Sequence, residues 1–158
     1  MNDLHEMAAN SREAAWTLAA SSLETRNAAL LRMAEVLENH QADIFAANAA
    51  DIHQAEADGL AAPLLGRLKF REEKLRAVTD GLRALADLPD PIGATTMTQE
   101  ITQGLKMYRV TCPIGVIGVI FVSRPDALVQ IASLALKSGN AVLLKGGREA
   151  ERTNAALC

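Results

Sequence analysis

Hydrophobic residues recur at helical spacing through the first half of the chain. Because a helix has 3.6 residues per turn, positions three, four and seven apart lie on one face. Two stripes follow this spacing: Leu30, Met33, Leu37 and Ile44, and then Leu75, Val78, Leu82 and Leu85. Ser21 with Glu24 forms a capping box before the first stripe, Gly59 is a helix stop, and Pro63 suits a first helical turn. We therefore predict a succession of helices that ends at the proline-containing segment 88–93.

The pattern changes to short β-branched runs in the second half. Residues 101–111 alternate weakly, as in an exposed or edge strand, and residues 114–122 are nearly all apolar, as in a strand covered on both faces. A helical segment follows, whose apolar face consists of Leu128, Ile131, Leu134 and Ala135. A second apolar strand covers residues 141–144 and leads into another helix. Strand, helix, strand and helix in this order predict a parallel α/β sheet with right-handed crossovers. Since sheets typically have about four to six strands, we expect part of a larger sheet.

Composition narrows the classes of function. The chain has 158 residues, of which 49% are hydrophobic, so it is long enough for one globular domain or part of one. A formal net charge of −3 and only 3% aromatic residues argue against a nucleic-acid partner. The sequence contains no run of about eighteen apolar residues, so we expect no membrane partner. The N-terminal segment does not resemble a secretory signal, and Cys112 and Cys158 lie far apart without CxxC spacing. We therefore expect free thiols in a reducing cytoplasm.

The turn after the second strand combines two cations with two glycines. Lys145, Gly146, Gly147 and Arg148 follow the apolar run 141–144 directly. Ligands bind at the carboxyl edge of open α/β sheets, and cations next to glycines suit an anionic ligand. The alternative is a plain strand-to-helix turn whose charges are solvated. The turn has neither the Walker A spacing nor the G-x-G-x-x-G fingerprint.

The end of the first strand falls at the same predicted edge. Ser123 and Arg124 would lie near the ligand crevice, although Pro125 and Asp126 also suit ordinary helix-start chemistry. Cys112 is more typical of a packed residue than of a nucleophile. The three histidines, His5, His40 and His53, lack a metal-binding spacing. We therefore predict no catalytic residue and no metal site in this chain.

Several segments together resemble a known family. "RVTCPIGVIGVIFVSRPD", "ALKSGNAVLLKGGREAERTNAAL" and "DGLRALADLPDPIG" are similar to the gamma-glutamyl phosphate reductases, which belong to the aldehyde dehydrogenase superfamily. The resemblance runs over nearly the whole chain, and "LKSGNAVLLKGG" is its most specific part. It implies an α/β fold in which N-terminal helices precede the first strands and helices of an incomplete Rossmann-like parallel sheet of aldehyde dehydrogenase type.

The resemblance also implies an activity and a division into parts. The activity would be the NADPH-dependent reduction of L-glutamyl 5-phosphate to L-glutamate 5-semialdehyde in proline biosynthesis, by a cytoplasmic homo-oligomer. Residues 1–95 would be the helical N-terminal part of the cofactor-binding domain, residues 96–112 a hairpin-type segment, and residues 113–158 an incomplete βαβα unit. The catalytic domain and its cysteine would lie outside this chain. The alternative is a truncated, non-catalytic module that binds nucleotide or mediates oligomerisation.

Site residues follow from the same resemblance. Lys145, with the Gly146-Gly147-Arg148 turn, would bind the adenosine end of NADPH, and Ser123 and Arg124 would belong to a substrate or cofactor loop. The family usually has an acid and a small residue before Arg-Pro-Asn, whereas this sequence has Val122 and Ser123, and Asp126 replaces the Asn. An added carboxylate near an anionic substrate is expected to repel it.

Overall fold

A computed structural model describes the backbone of residues 2–158 and the side chains from Leu4 onward. Five helices come first: α1 Asn2–Ala19, α2 Leu23–Asn39, α3 Gln41–Ala57, α4 Ala62–Leu68 and α5 Glu72–Asp87. A β-hairpin, an α/β unit and a terminal helix follow, namely β1 Thr95–Thr102, β2 Leu105–Val110, β3 Val116–Ile120, α6 Pro125–Lys137, β4 Ala141–Lys145 and α7 Glu151–Leu157. A single 3-10 turn, Arg148–Ala150, joins β4 to α7. Within the described chain, no helix is both long and apolar enough to cross a membrane.

Local signals account for the start of α2 and the end of α3, with one correction. The N-cap of α2 is Ser22, whose hydroxyl accepts a hydrogen bond from the backbone amide of Thr25 at 3.2 Å. The predicted capping box of Ser21 and Glu24 is therefore wrong, because the Ser21 hydroxyl instead donates to the carbonyl of Leu18. Gly59 takes a φ of 73° after α3, a left-handed conformation that glycine adopts without strain.

The main core lies where α2, α5 and α6 pack together. Both predicted stripes enter it, with Leu30 of α2 and Leu82 of α5 fully buried beside Val129 of α6. Each such side chain contributes roughly 1.5–3 kcal/mol through removal of apolar surface from water. The first stripe is not one helix face as predicted, because α2 ends before Ile44, which belongs to α3. The predicted face of α6 is only partly correct, because Leu134 is exposed on a helix face that no other described element covers.

The parallel pair of strands is short and open. β3 pairs with β4 in register from Val116 and Ala141 to Ile120 and Lys145, as the strand-helix-strand pattern predicts. The expectation that residues 114–122 are covered on both faces is wrong for this chain, since Ile120 is 82% exposed. The reason is that β3 has β4 as its one strand neighbour within the described residues. At the opposite end, the Asn140 side-chain oxygen accepts hydrogen bonds from the amides of Ile114 and Gly115.

A two-stranded hairpin separates the helices from the α/β unit. The antiparallel strands β1 and β2 pair Thr98 with Tyr108, and Gly104 turns the chain with a φ of 83°. The single extended segment predicted for residues 101–111 is therefore the end of β1, a turn and the strand β2. Every residue of β2 is exposed, so the hairpin gains little stability from the core.

Candidate functional site

Two loops meet at the carboxyl edge of the parallel strands. One follows β3, the other follows β4, and the Phe121 amide donates a hydrogen bond to the Lys145 carbonyl at 3.0 Å, which extends the pairing by one residue. The loop residues predicted from sequence, Ser123 with Arg124 and the Lys145–Arg148 turn, therefore lie on neighbouring segments. This is the edge at which open α/β sheets bind ligands.

The two loops are tied together by Ser123 and Glu149. The Ser123 amide and hydroxyl both donate to one carboxylate oxygen of Glu149, at 2.7 and 2.8 Å. Burial raises the pKa of Glu149, but hydrogen bonds from its own backbone and from Ser123, with the nearby charge of Lys145, lower the pKa below its ordinary value of 4.5. Ser123 itself is buried and has a φ of 50°, which is uncommon outside glycine. The Ser123 hydroxyl is thus committed to holding the loops together.

The two cations of the turn are both exposed but differ in their surroundings. Lys145 ends β4, and its ammonium donates to the Gly146 carbonyl at 2.7 Å. Arg148 lies on the wall of a cleft of about 650 Å³, which Asp51 of α3 and Asp58 just after that helix also line. Lys145 therefore projects from the sheet edge, whereas Arg148 faces a partly acidic surface.

The two glycines of the turn have different neighbours. A Cβ atom on Gly146 would overlap the side-chain amide of Asn154, and one on Gly147 would overlap the Glu149 carboxylate. Neither glycine has a positive φ. A side chain at either position would therefore have to displace the end of a neighbouring side chain, Asn154 of α7 or Glu149 of the 3-10 turn.

A buried carboxylate on α3 holds the helix that follows the turn. One Asp51 oxygen accepts from both the amide and the hydroxyl of Thr153, each at 2.7 Å, and the other accepts from the Arg152 amide at 3.3 Å. Asn48 donates to the same hydroxyl at 3.2 Å. The polar N-terminus of α7 is thereby satisfied by residues about a hundred positions earlier. These contacts fix α7, and with it the turn, against the helical part of the chain.

The Arg124 side chain pairs with Asp126, and no hydrogen bond or ion pair links it to the Lys145 turn within the described residues. Its guanidinium is 3.2 Å from one Asp126 carboxylate oxygen, and the Lys74 ammonium is 3.5 Å from the other. Asp126 is therefore compensated by two cations. The expected repulsion of an anionic substrate by this carboxylate is accordingly reduced.

Sequence reasoning missed Glu149, Asp51 and Lys74, and it found Ser123 and Arg124 only by their position. An acid directly after a Gly-Gly turn could have drawn attention to Glu149. Asp51 and Lys74 carry no local signal, because each belongs to an ordinary helix. Among the described residues, no group of three His, Cys, Asp or Glu side chains could hold a metal ion. Cys112 and Cys158 are exposed free thiols, so the prediction that Cys112 is packed is wrong.

Curated proteins of one name are similar to this chain over nearly its whole length. Gamma-glutamyl phosphate reductase from Pelotomaculum thermopropionicum is 50% identical over 155 residues, which cover 98% of this chain and 36% of that protein. Gamma-glutamyl phosphate reductase from Acetivibrio thermocellus is 51% identical over 154 residues, with the same coverage. The chain therefore spans about a third of the length of these curated relatives, and it matches their N-terminal part. No protein-family profile matches the chain.

Solved structures agree in fold. Gamma-glutamyl phosphate reductase from Saccharomyces cerevisiae superimposes with a TM-score of 0.92 at 38% identity, covering 96% of this chain and 39% of that protein. The Thermotoga maritima enzyme of that name gives 0.91 at 34% identity, covering 98% of this chain and 37% of that protein. An NAD-dependent benzaldehyde dehydrogenase from Corynebacterium glutamicum gives 0.64 at 20% identity, covering 92% and 31%, and shows the fold alone. The predicted α/β fold of aldehyde dehydrogenase type is confirmed.

Proposed function

We propose that this chain, a homologue of the gamma-glutamyl phosphate reductases over nearly its whole length, is the N-terminal part of an enzyme of that activity. The enzyme would reduce L-glutamyl 5-phosphate to L-glutamate 5-semialdehyde with NADPH, a step of proline biosynthesis in the cytoplasm. The observation that carries the proposal is about 50% identity over 98% of the chain, together with a TM-score of 0.92 to a reductase of that name.

The proposed division of the chain follows the order of its elements. Residues 1–95 would contribute the helical part of the cofactor-binding domain, residues 96–112 the hairpin, and residues 113–158 the first βαβα unit. The catalytic domain and its cysteine would lie outside these residues. We accordingly expect no turnover from the 158 residues alone, assayed with NADPH and freshly generated glutamyl phosphate. Turnover that Cys112→Ser abolishes would contradict this assignment.

The cofactor would bind at the Lys145 turn. The exposed Lys145 ammonium uses one hydrogen bond on the Gly146 carbonyl and has three donors in all, so it has the capacity to bind a ribose hydroxyl or the 2′-phosphate of NADPH. Gly146 and Gly147 would contribute backbone groups to the cofactor site, since the space on their Cβ side is filled by Asn154 and Glu149. Arg148 would add a second charge. NADPH would supply the hydride, and the role of these residues would be to bind and orient it.

Cofactor preference tests this assignment directly. In the full-length protein, Lys145→Ala should weaken NADPH binding by about tenfold, the lower end for a hydrogen bond to a charged group, since Lys145 is exposed. NADH lacks the 2′-phosphate and should be affected less. Arg148→Ala should act in the same direction, and Lys106→Ala on the exposed hairpin is the matched control. Fluorescence titration with both cofactors measures the effect. An unchanged preference in both variants would identify the turn as a plain connection.

The alternative of an oligomerising module rests on the hairpin. Large apolar side chains are exposed along it: Ile101, Leu105, Met107, Tyr108 and Val110. Exposed strand edges and apolar patches favour pairing with another chain. We therefore propose a homo-oligomer in which the hairpin contributes to the interface. Analytical ultracentrifugation of full-length Tyr108→Glu should show smaller species than the wild type, and an unchanged distribution would contradict this role.

A further inference from the structure

The β-hairpin is attached to the rest of the molecule through its two ends. Every residue of β2 is exposed, and in β1 only Met97 is partly buried. Residues 88–94, which lead into the hairpin, are here called its entry leg, and residues 111–115, which lead out of it, its exit leg. Since the strands themselves are so exposed, the direction in which the hairpin projects depends on how these two legs are held.

One short segment contacts both legs, namely residues 137–140 between α6 and β4, which we call the anchor turn. Its first residue, Lys137, is buried at the end of α6. The Lys137 ammonium donates to the carbonyls of Leu88 and Ala86 at 2.7 and 3.1 Å, and to the side-chain oxygen of Asn27 at 2.7 Å. These bonds use all three donors of the ammonium, and they fix the start of the entry leg to the end of α6.

The last residue of the anchor turn holds the exit leg. Asn140 is buried, and its side-chain oxygen accepts hydrogen bonds from the amides of Ile114 and Gly115 at 2.6 and 2.9 Å. Its side-chain nitrogen donates to the carbonyl and the hydroxyl of Ser138, which fixes the orientation of the side chain. Because a buried amide that loses its acceptor costs free energy, these bonds keep the exit leg next to the start of β4.

Gly139, in the middle of the anchor turn, brings the two legs together. Its φ is 70°, a left-handed conformation that suits glycine. A Cβ atom there would lie 2.6 Å from the Cδ1 atom of Ile92 in the entry leg and 3.0 Å from the Cγ atom of Pro113 in the exit leg. Both legs therefore pack against the backbone of one residue, and a side chain at that residue would press on both.

A second buried cation fixes the entry leg to α2. The Arg26 guanidinium donates to both carboxylate oxygens of Asp90 at 2.7 Å, and the Ile92 amide donates to one of these oxygens at 3.0 Å. Two buried cations, one from α2 and one from α6, thus hold a segment that is neither helix nor strand. Buried charges of this kind add little net stability compared with apolar residues, and they suit a role in fixing one arrangement of the chain.

We propose that the anchor turn sets the direction in which the hairpin projects, and that assembly of the full-length protein depends on it. Lys137 and Asn140 are buried, so they act on the interface with a second copy only through the two legs, as positioning residues. The turn reads KSGN and lies in "LKSGNAVLLKGG", the segment with the most specific resemblance to the reductases. The link to assembly rests on the homo-oligomer of the proposed function, whereas the anchoring of the legs does not. The alternative is an ordinary turn in which Lys137 only caps the end of α5.

Hydrogen exchange in the full-length protein tests the anchor by changing one leg and measuring the other. Lys137→Met removes the bonds to the entry leg, and residues 114–116 of the other side should then exchange about fivefold to tenfold faster. Asn140→Ala removes the bonds to the exit leg and should have the same effect on residues 88–93. Thr153→Val is the matched control, because it removes a buried hydrogen bond to Asp51 that involves neither leg. Unchanged exchange in the distant leg, or an equal increase in the core helix α2, would overturn the anchor.

Sedimentation velocity at several protein concentrations tests the consequence for assembly. Lys137→Met and Asn140→Ala should each raise the dissociation constant of the oligomer about tenfold, the effect of one lost buried hydrogen bond. Asn140→Asp keeps an acceptor oxygen for both amides of the exit leg and should stay within about twofold of the wild type. Equal association of Asn140→Ala and the wild type would overturn the role in assembly. If Tyr108→Glu leaves the oligomer intact while the distant leg responds in hydrogen exchange, the hairpin interface of the proposed function is refuted and the anchor is supported.

Discussion

Removing the Asp51 carboxylate should loosen the helix that follows the candidate cofactor turn. Asp51 is buried on α3 and accepts three hydrogen bonds from the start of α7, two from Thr153 and one from the Arg152 amide. In Asp51→Ala, the Thr153 amide and hydroxyl lose this acceptor, and Thr153 itself is fully buried. The effect should therefore be larger than that of an ordinary surface substitution.

The magnitude follows from these contacts. A hydrogen bond to a charged group contributes about 1.5–3 kcal/mol, and leaving a buried donor unsatisfied costs about 1–3 kcal/mol. The two short bonds to Thr153 contribute most of the loss. The Arg152 amide is 3.3 Å from the Asp51 carboxylate, and the Arg152 guanidinium is 3.7 Å from it and 57% exposed. We expect Asp51→Ala to lower the free energy of unfolding by about 3–4 kcal/mol. Thr153→Val keeps its amide bond and should cost about 1–2 kcal/mol.

Urea denaturation of the full-length protein measures these changes, and hydrogen exchange of the Thr153 amide reports the local contact. The double variant should be less destabilised than the sum of the singles by about 1 kcal/mol, because both remove the same bond. Asp58→Ala is the matched control, since Asp58 lies on the same cleft and is exposed. A loss below about 1 kcal/mol for Asp51→Ala, or unaltered protection of the Thr153 amide, would refute the reasoning.

Three further predictions concern the remaining polar contacts. Asp90→Ala should cost about 3 kcal/mol in urea denaturation, because Arg26 is 2% exposed and both Asp90 oxygens accept from its guanidinium at 2.7 Å. Arg26→Met combined with Asp90→Ala should recover part of that loss, and strictly additive losses would contradict the ion-pair account. The pKa of Glu149 is lowered on folding, so its stabilising effect should be full above pH 4.5 and fall as the pH drops through the folded pKa. In thermal unfolding between about pH 6 and 3, the unfolding temperatures of the wild type and of Glu149→Gln should then converge at acid pH. A difference in unfolding temperature that stays constant over this range would contradict the prediction. Gly146→Ala should cost about 1–3 kcal/mol, because the new methyl group meets the Asn154 amide. Asn154→Ala should relieve this cost in thermal unfolding, and equal losses with and without Asn154 would point to another cause.

The sequence alone determined the succession of helices and the parallel unit. The Leu30 and Leu82 stripes are periodic over several turns, and such periodicity indicates an amphipathic helix. Gly59 stops its helix through a backbone preference that needs no partner. The apolar run before Lys145 likewise predicts a strand and the turn after it. These features depend on neighbours within a few residues, so the local pattern contains their cause.

The tertiary structure decided which polar groups meet. Thr153 takes its acceptor from Asp51, 102 residues earlier, and Ser123 meets Glu149 across 26 residues. Lys74 comes to Asp126 only because α5 packs against α6. An Asp or a Lys on an amphipathic helix looks the same in sequence whether it faces water or another loop. Its partner depends on how the apolar faces pack against each other. The hydrophobic effect is non-directional, so the sequence pattern does not say which faces will meet, and the pairing becomes specific only in the close-packed core.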